Sequence, residues 1–126
     1  MSARAGNRTV LIAEDNELSE RVFRELLNSR GYMTLRARNG QEALSLARQH
    51  RPGLLVMDAD LAGMSGIEVA RAMKQDEELK TIPIVGITAF GTRSEVDEIQ
   101  DVGCEAYITR PLSSGRIMET VRRFIG

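Results

Sequence analysis

Among the 126 residues there are one cysteine, three prolines, no tryptophan and only five other aromatic residues. Each scarcity removes a class of function. A lone Cys104 builds no internal disulfide framework and no multi-thiolate zinc site, which fits a reducing cytoplasm. So few aromatic rings leave no stacking platform for nucleic-acid bases. With 17 basic against 18 acidic residues the net charge is −1, so no field of one sign draws in nucleic acid. No apolar run reaches the length of a membrane span, and the opening MSARAGNRT lacks the apolar segment of a signal peptide. The expectation is a cytoplasmic protein with no nucleic-acid or membrane partner.

What remains is an ordinary globular composition, 42% apolar and 28% charged, in a chain long enough for one core. Neither a linker nor a repeat divides it. We expect a short tail over residues 1–8, a single domain over 9–126, and no output domain behind it.

Short apolar runs alternate with helical patterns. Thr9 to Ala13 reads as a buried strand, and Leu54 to Met57, four apolar residues in a row, as a strand covered on both faces. Ile84 to Ile87 and Ala106 to Ile108 are two more, while Thr34 to Ala37, broken by Arg36, reads as an edge. Between them lie five helical segments. The first buries Leu18, Val22, Phe23, Leu26 and Leu27, and the second Ala43, Leu44 and Ala47. Ile67, Ala70 and Met73 face inward in the third, Val96 and Ile99 in the fourth, and Ile117, Val121, Phe124 and Ile125 in the last. Asn39 with Glu42, Ser65 with Glu68, and Thr92 with Glu95 carry the spacing of capping boxes. Asn16 and Ser113 can cap the remaining two helices. Strands alternating with helices over short connections imply an α/β fold, a parallel sheet wound with helices on both faces.

Ligands of such sheets sit beyond the carboxyl ends of the strands. There the first strand delivers Glu14 and Asp15, the third Asp58, the fourth Thr88 and the fifth Arg110. Singly, the two acids could serve a helix N-terminus, Thr88 a turn and Arg110 the surface. Jointly they make a crevice of three carboxylates, a hydroxyl and a cation. Two carboxylates about 4 Å apart repel by roughly 4 kcal/mol at an effective dielectric of 20. Three therefore call for raised pKa values or a hard divalent cation such as Mg²⁺. With a metal in place, Asp58 could attack a phosphoryl group, for which positioning and charge neutralisation are most of the chemistry.

The segments VLIAEDN, LLVMDADLAGMSGIE, PIVGITAF and AYITRPLS, in this order and spacing, resemble those of response-regulator receiver domains over essentially the whole chain. The resemblance implies a doubly wound, five-stranded parallel sheet of order 2-1-3-4-5. It makes Asp58 the phospho-acceptor, charged by a histidine kinase or a histidine phosphotransfer protein. Glu14, Asp15, Asp58 and the backbone carbonyl of Asp60 become the Mg²⁺ positions, Thr88 the switch hydroxyl beside the small Ala89, and Tyr107 the switch aromatic. A downstream protein target would read the fourth helix, fifth strand and fifth helix, roughly Thr92 to Val102 and Ala106 to Phe124, on a monomer or weak dimer.

Two positions depart from the family pattern. Arg110 stands where the family has lysine, trading a point charge for a planar fork. Ala62 replaces a common proline, which should loosen the loop without moving a chemical group. By resemblance, the Arg110–Pro111 bond is expected to be cis. Three readings follow. The first is a single-domain regulator that signals by protein contact, catalysing only its own phosphorylation and dephosphorylation. In the second, a degenerate receiver locked by Arg110 binds partners constitutively. The third is a phosphatase using Asp58 and Asp60 as nucleophile and acid, although its other motifs are missing. His50 reads as solvated, Cys104 as an apolar filler, and Met33, Met57, Met64, Met73 and Met118 as packing residues.

Overall fold

The structure, a computed structural model, describes residues 7–126. Most of the tail expected over 1–8 lies outside the described residues, but its last two members are tied down. Asn7 Nδ2 donates to the Arg51 carbonyl at 2.7 Å, and Arg8 Nη1 to that of Gly126 at 2.9 Å. The Arg8 guanidinium also lies 4.1 Å over the Tyr32 ring.

Ten elements alternate along the chain: β1 (Thr9–Ala13), α1 (Glu17–Ser29), β2 (Met33–Ala37), α2 (Gly40–His50), β3 (Leu54–Asp58), α3 (Gly66–Lys74), β4 (Ile84–Thr88), α4 (Arg93–Asp101), β5 (Ala106–Thr109) and α5 (Ser114–Ile125). All five strands pair in parallel in the order β2-β1-β3-β4-β5, with β2 at the edge as its sequence suggests. No helix among the described residues is long and apolar enough to cross a membrane.

Strand side chains alternate between the two faces. Leu11, Ala13, Leu55 and Met57 join a core closed by α2, α3 and α4, through residues such as Leu44, Val69 and Ile99. Val10, Ile12, Leu54 and Val56 join a second core closed by Phe23 and Leu27 of α1 and by Ile117 and Val121 of α5. The sheet is thus sealed on both sides, and its strand ends are what it offers to ligands. Every helix starts on a side-chain cap: Asn16, Asn39, Ser65, Thr92 and Ser113 each accept an N–H three residues on, satisfying an otherwise orphaned donor.

Several sequence expectations need correction. The capping boxes at Ser65 and Thr92 are complete, but Glu42 turns its carboxylate to the N–H of Arg38 instead of Asn39, so that box is half-formed. Leu18 and Val22 share the helical period of Phe23 yet are 73% and 45% exposed. They lie on the flank of α1 beside the β5–α5 loop, where no element covers them. Met33 opens the edge strand at 70% exposure and packs nothing. Val96, Phe124 and Ile125 are only half-buried, whereas Cys104 and the interior methionines Met57, Met73 and Met118 are buried as expected.

Candidate functional site

The parallel register brings the predicted side chains to one edge. Asp58 ends β3 opposite Ile87, Thr88 ends β4 opposite Thr109, and Glu14 and Arg110 are the first residues past β1 and β5. The Arg110–Pro111 peptide bond is cis. The start of α3 comes so close to the end of β3 that a Cβ on Gly66 would run into the Asp58 carbonyl oxygen, so only glycine fits there.

Arg110 is the hub. Its Nη2 donates to Glu14 Oε2 at 2.6 Å and to Asp58 Oδ2 at 3.0 Å, while Nη1 reaches Ser19 Oγ of α1 at 3.1 Å. Charge-assisted bonds of this length are the strong kind. The remaining donors come from the backbone. Asn16 N–H bonds Glu14 Oε1 at 3.1 Å, Asp60 N–H bonds Asp58 Oδ1 at 2.9 Å, and Ala62 N–H bonds Asp15 Oδ2 at 3.1 Å. The last contact corrects the expectation that Ala62 moves no chemical group. Proline has no N–H, so alanine at this position adds a donor to the acidic cluster. Neither that N–H nor Ser19 carries a sequence signal, since both partners lie far away along the chain.

Burial and charge are out of balance here. Glu14 is fully buried, Asp58 half-buried and Asp15 exposed. Burial is the main force pushing the Glu14 carboxyl up to about 7. The bond from Arg110 opposes the rise and Asp58 adds to it. Burial also works against the charge on Arg110, but Glu14 and then Asp58 outweigh it and hold the guanidinium more firmly protonated than usual. One cation therefore serves a crowd of acids.

Glu14, Asp15 and Asp58 each offer an oxygen, all within 4.8 Å of one another. An all-carboxylate set suits a hard divalent cation and not a soft one. These residues fit such an ion. Thr88 lies beside them, 2% exposed, and its hydroxyl completes no hydrogen bond. It sits close enough to Glu95 to help that carboxylate keep its charge, after the N–H of Thr92, which does most. Glu95 Oε1 also takes the Phe90 N–H at 3.3 Å and so fastens the loop after β4. Sequence reasoning saw Glu95 only as a cap. Tyr107 is half-buried against the core on the α4 side. His50 is exposed, far from these groups in sequence.

Comparison with known proteins bears on this edge. A family profile described as the response regulator receiver domain matches residues 10–122. The chain belongs to the response-regulator receiver family. It is 47% identical over 119 residues to the polar-differentiation response regulator DivK of Brucella anthropi, covering 94% of this chain and 97% of that one. The DivK of Brucella abortus is 46% identical over the same shares. Among solved structures, a response regulator from Chloroflexus aurantiacus superposes with a TM-score of 0.91 at 27% identity, covering 94% and 98% of the two chains. The receiver domain of Ssk1, solved with the histidine phosphotransfer protein Ypd1 of Saccharomyces cerevisiae, gives 0.89 at 25% identity, covering 94% and 89%. The receiver fold and its strand order thus agree with the sequence expectation.

Proposed function

We propose that Asp58 accepts a phosphoryl group from a phosphohistidine and that the phosphorylated chain signals by protein contact. The observation that carries this is the convergence at the Asp58 edge of one guanidinium, two further carboxylates and the buried Thr88 hydroxyl. An Asp58 oxygen forms a bond to phosphorus as the P–N bond breaks, and the imidazole leaves after taking a proton. In a separate later step water attacks the same phosphorus, the bond from Asp58 breaks, and the carboxylate and inorganic phosphate are returned. Glu14, Asp15, Asp58 and the Asp60 carbonyl would hold a divalent cation, Mg²⁺ by the resemblance, which would supply charge neutralisation for the incoming oxygens. Arg110 offers N–H donors to the same oxygens. Thr88 can turn its hydroxyl towards them and away from Glu95, which would loosen the loop that Glu95 fastens and let Tyr107 follow. The energy for that shift is the difference in contacts between the two states and no more. The face of α4, β5 and α5 is then the readout surface.

The donor has a fitting seat. Leu18 and Val22 of α1 line a shallow groove with Ser19, Arg110, Pro111 and Leu112, directly beside the acceptor. Exposed apolar residues at such a place suit a histidine kinase or phosphotransfer helix. Ssk1, which was solved bound to Ypd1, supports a donor of that kind. Membership of the receiver family leaves the phosphatase reading without support.

The test is intact mass after incubation with acetyl phosphate and Mg²⁺. Wild type should gain one phosphoryl group and Asp58→Asn none. A second reading, the locked receiver, is favoured by the Arg110 bonds to Glu14 and Asp58. It wins if only Arg110→Lys becomes labelled. If none of the three is labelled, even by a phosphohistidine donor, the acceptor assignment is wrong.

A further inference from the structure

We infer that this pocket carries its own substitute for the metal: Arg110 and the Ala62 N–H hold the three carboxylates in the ion's absence and compete with it. The inference rests on the metal reading above, and it concerns two residues for which that reading has no use. Each carboxylate of the cluster already has a donor from within the chain. Arg110 Nη2 is shared by Glu14 and Asp58, Asn16 N–H serves the other Glu14 oxygen, Asp60 N–H the other Asp58 oxygen, and Ala62 N–H serves Asp15. A cation entering among these oxygens meets carboxylates that each already serve a donor, Asp15 through one oxygen only. It must also face a like charge 2.6 Å from one ligand and 3.0 Å from another.

The two residues differ in how replaceable they are. The N–H groups of Asn16, Asp60 and Ala62 alike belong to the backbone and are lost only to proline, the residue that the family pattern commonly has at position 62. Arg110 and Ala62 act through features their substitutes would lack. The guanidinium spans three partners at once because its two terminal nitrogens lie apart in a rigid fork, with Nη1 braced on Ser19. A lysine ammonium gathers its three donors on one nitrogen at the end of an unforked stem, so it lacks the second, separate nitrogen that braces on Ser19. A proline at position 62 would remove the donor to Asp15 outright. Arg110 and Ala62 thus set the metal affinity of the pocket from opposite sides, one through Glu14 and Asp58 and the other through Asp15.

The measurement is calorimetric titration of the full chain with Mg²⁺ alone, for wild type, Arg110→Lys and Ala62→Pro. Both variants keep all three carboxylates. Arg110→Lys should bind Mg²⁺ about tenfold more tightly, the worth of one charge-assisted hydrogen bond. Ala62→Pro should bind a few-fold more tightly, about the worth of one neutral-donor bond at an exposed site. Because Ala62 lies away from the guanidinium, its result stands even if Arg110→Lys disturbs folding. Unchanged or weaker binding in both, or no binding in any of the three, overturns the inference. No phosphoryl donor is present, so unchanged or weaker binding by the two variants leaves the Asp58 acceptor reading untouched, whereas no binding in any of the three removes the metal from that reading as well. A failure of phosphorylation with the affinity gain intact would sink only the acceptor reading.

Discussion

Two glutamates of this chain are sealed from water, and both face arginine. Glu20 of α1 receives Arg24 Nε at 3.1 Å, one helical turn on, and has Arg36 Nε of β2 at 3.9 Å from its other oxygen. Glu14 receives Arg110, which it shares with Asp58, and has Asp15 within ligand distance. In the first cluster cations outnumber the acid; in the second, acids outnumber the cation. A buried carboxylate surrounded by cations is a finished structural device. One surrounded by further carboxylates is left needing positive charge, which a metal ion or a partner must bring. The excess of acid, not burial or pairing, separates the Glu14 cluster at the strand ends from the Glu20 cluster.

The sharpest way to break this contrast is to remove Glu20. In Glu20→Ala the buried Arg36 Nε, which already lacks a hydrogen bond, loses its counter-charge as well. Orphaning a buried ion is expensive, and urea unfolding should show a loss of about 2–4 kcal/mol. Phosphorylation of the folded fraction should persist. A loss below about 0.5 kcal/mol would mean that solvent screens the Glu20 cluster and that the two sites are not of different kinds.

How much of this was legible in the chain follows from the range of each interaction. The strands, the caps and the five strand-end residues lie in short stretches, and the parallel order of the sheet gathers them. Hence Glu14, Asp15, Asp58, Thr88 and Arg110 could be named in advance. Ser19 and the Ala62 N–H act on partners tens of residues away, and Arg36 reaches back from β2 to Glu20 of α1, through one hydrogen bond or ion pair each, which leaves no pattern in sequence. Leu18 and Val22 failed for a different reason. A helical period tells which residues share a flank, and only packing tells whether another element covers it. Here their exposure is itself informative, because it marks the groove they share with Arg110 and Pro111.

Cys104 sharpens the contrast as a buried acid with almost no compensation. Burial pushes its thiol up to about 11, Glu105 adds to the rise, and Lys74 opposes it weakly. A raised folded-state pKa means that the native chain prefers the protonated form. The stability this provides is complete below the ordinary thiol value of 9.0 and drains away as pH rises towards about 11. Over that window wild type should lose about 1–2 kcal/mol more than Cys104→Ala, measured by urea unfolding at each pH. At neutral pH the thiol should react with a disulfide reagent only after denaturation. Parallel stability curves for the two proteins would show that water reaches the thiol, which would then be no example of a buried acid.

Glu14→Gln should give the smallest change in stability and the clearest distinction between the clusters. The substitution removes one charge from a group of acids that has too many, and burial already favours a neutral carboxyl at this position. The amide oxygen can accept from the Asn16 N–H or from Arg110 but not from both, so one of these bonds is lost, while Arg110 keeps Asp58. In the presence of a chelator the variant should lie within about 1 kcal/mol of wild type, far from the cost at Glu20. Added Mg²⁺ should then separate them, because an ion that binds only the native state stabilises it in proportion to its affinity. Wild type should gain thermal stability with rising Mg²⁺, while Glu14→Gln, one ligand short, should gain little. Were Glu14→Gln to unfold as readily as Glu20→Ala without the ion, Glu14 would be a structural ion-pair partner like its counterpart. The demand for positive charge at the strand ends would then rest on Asp15 and Asp58 alone.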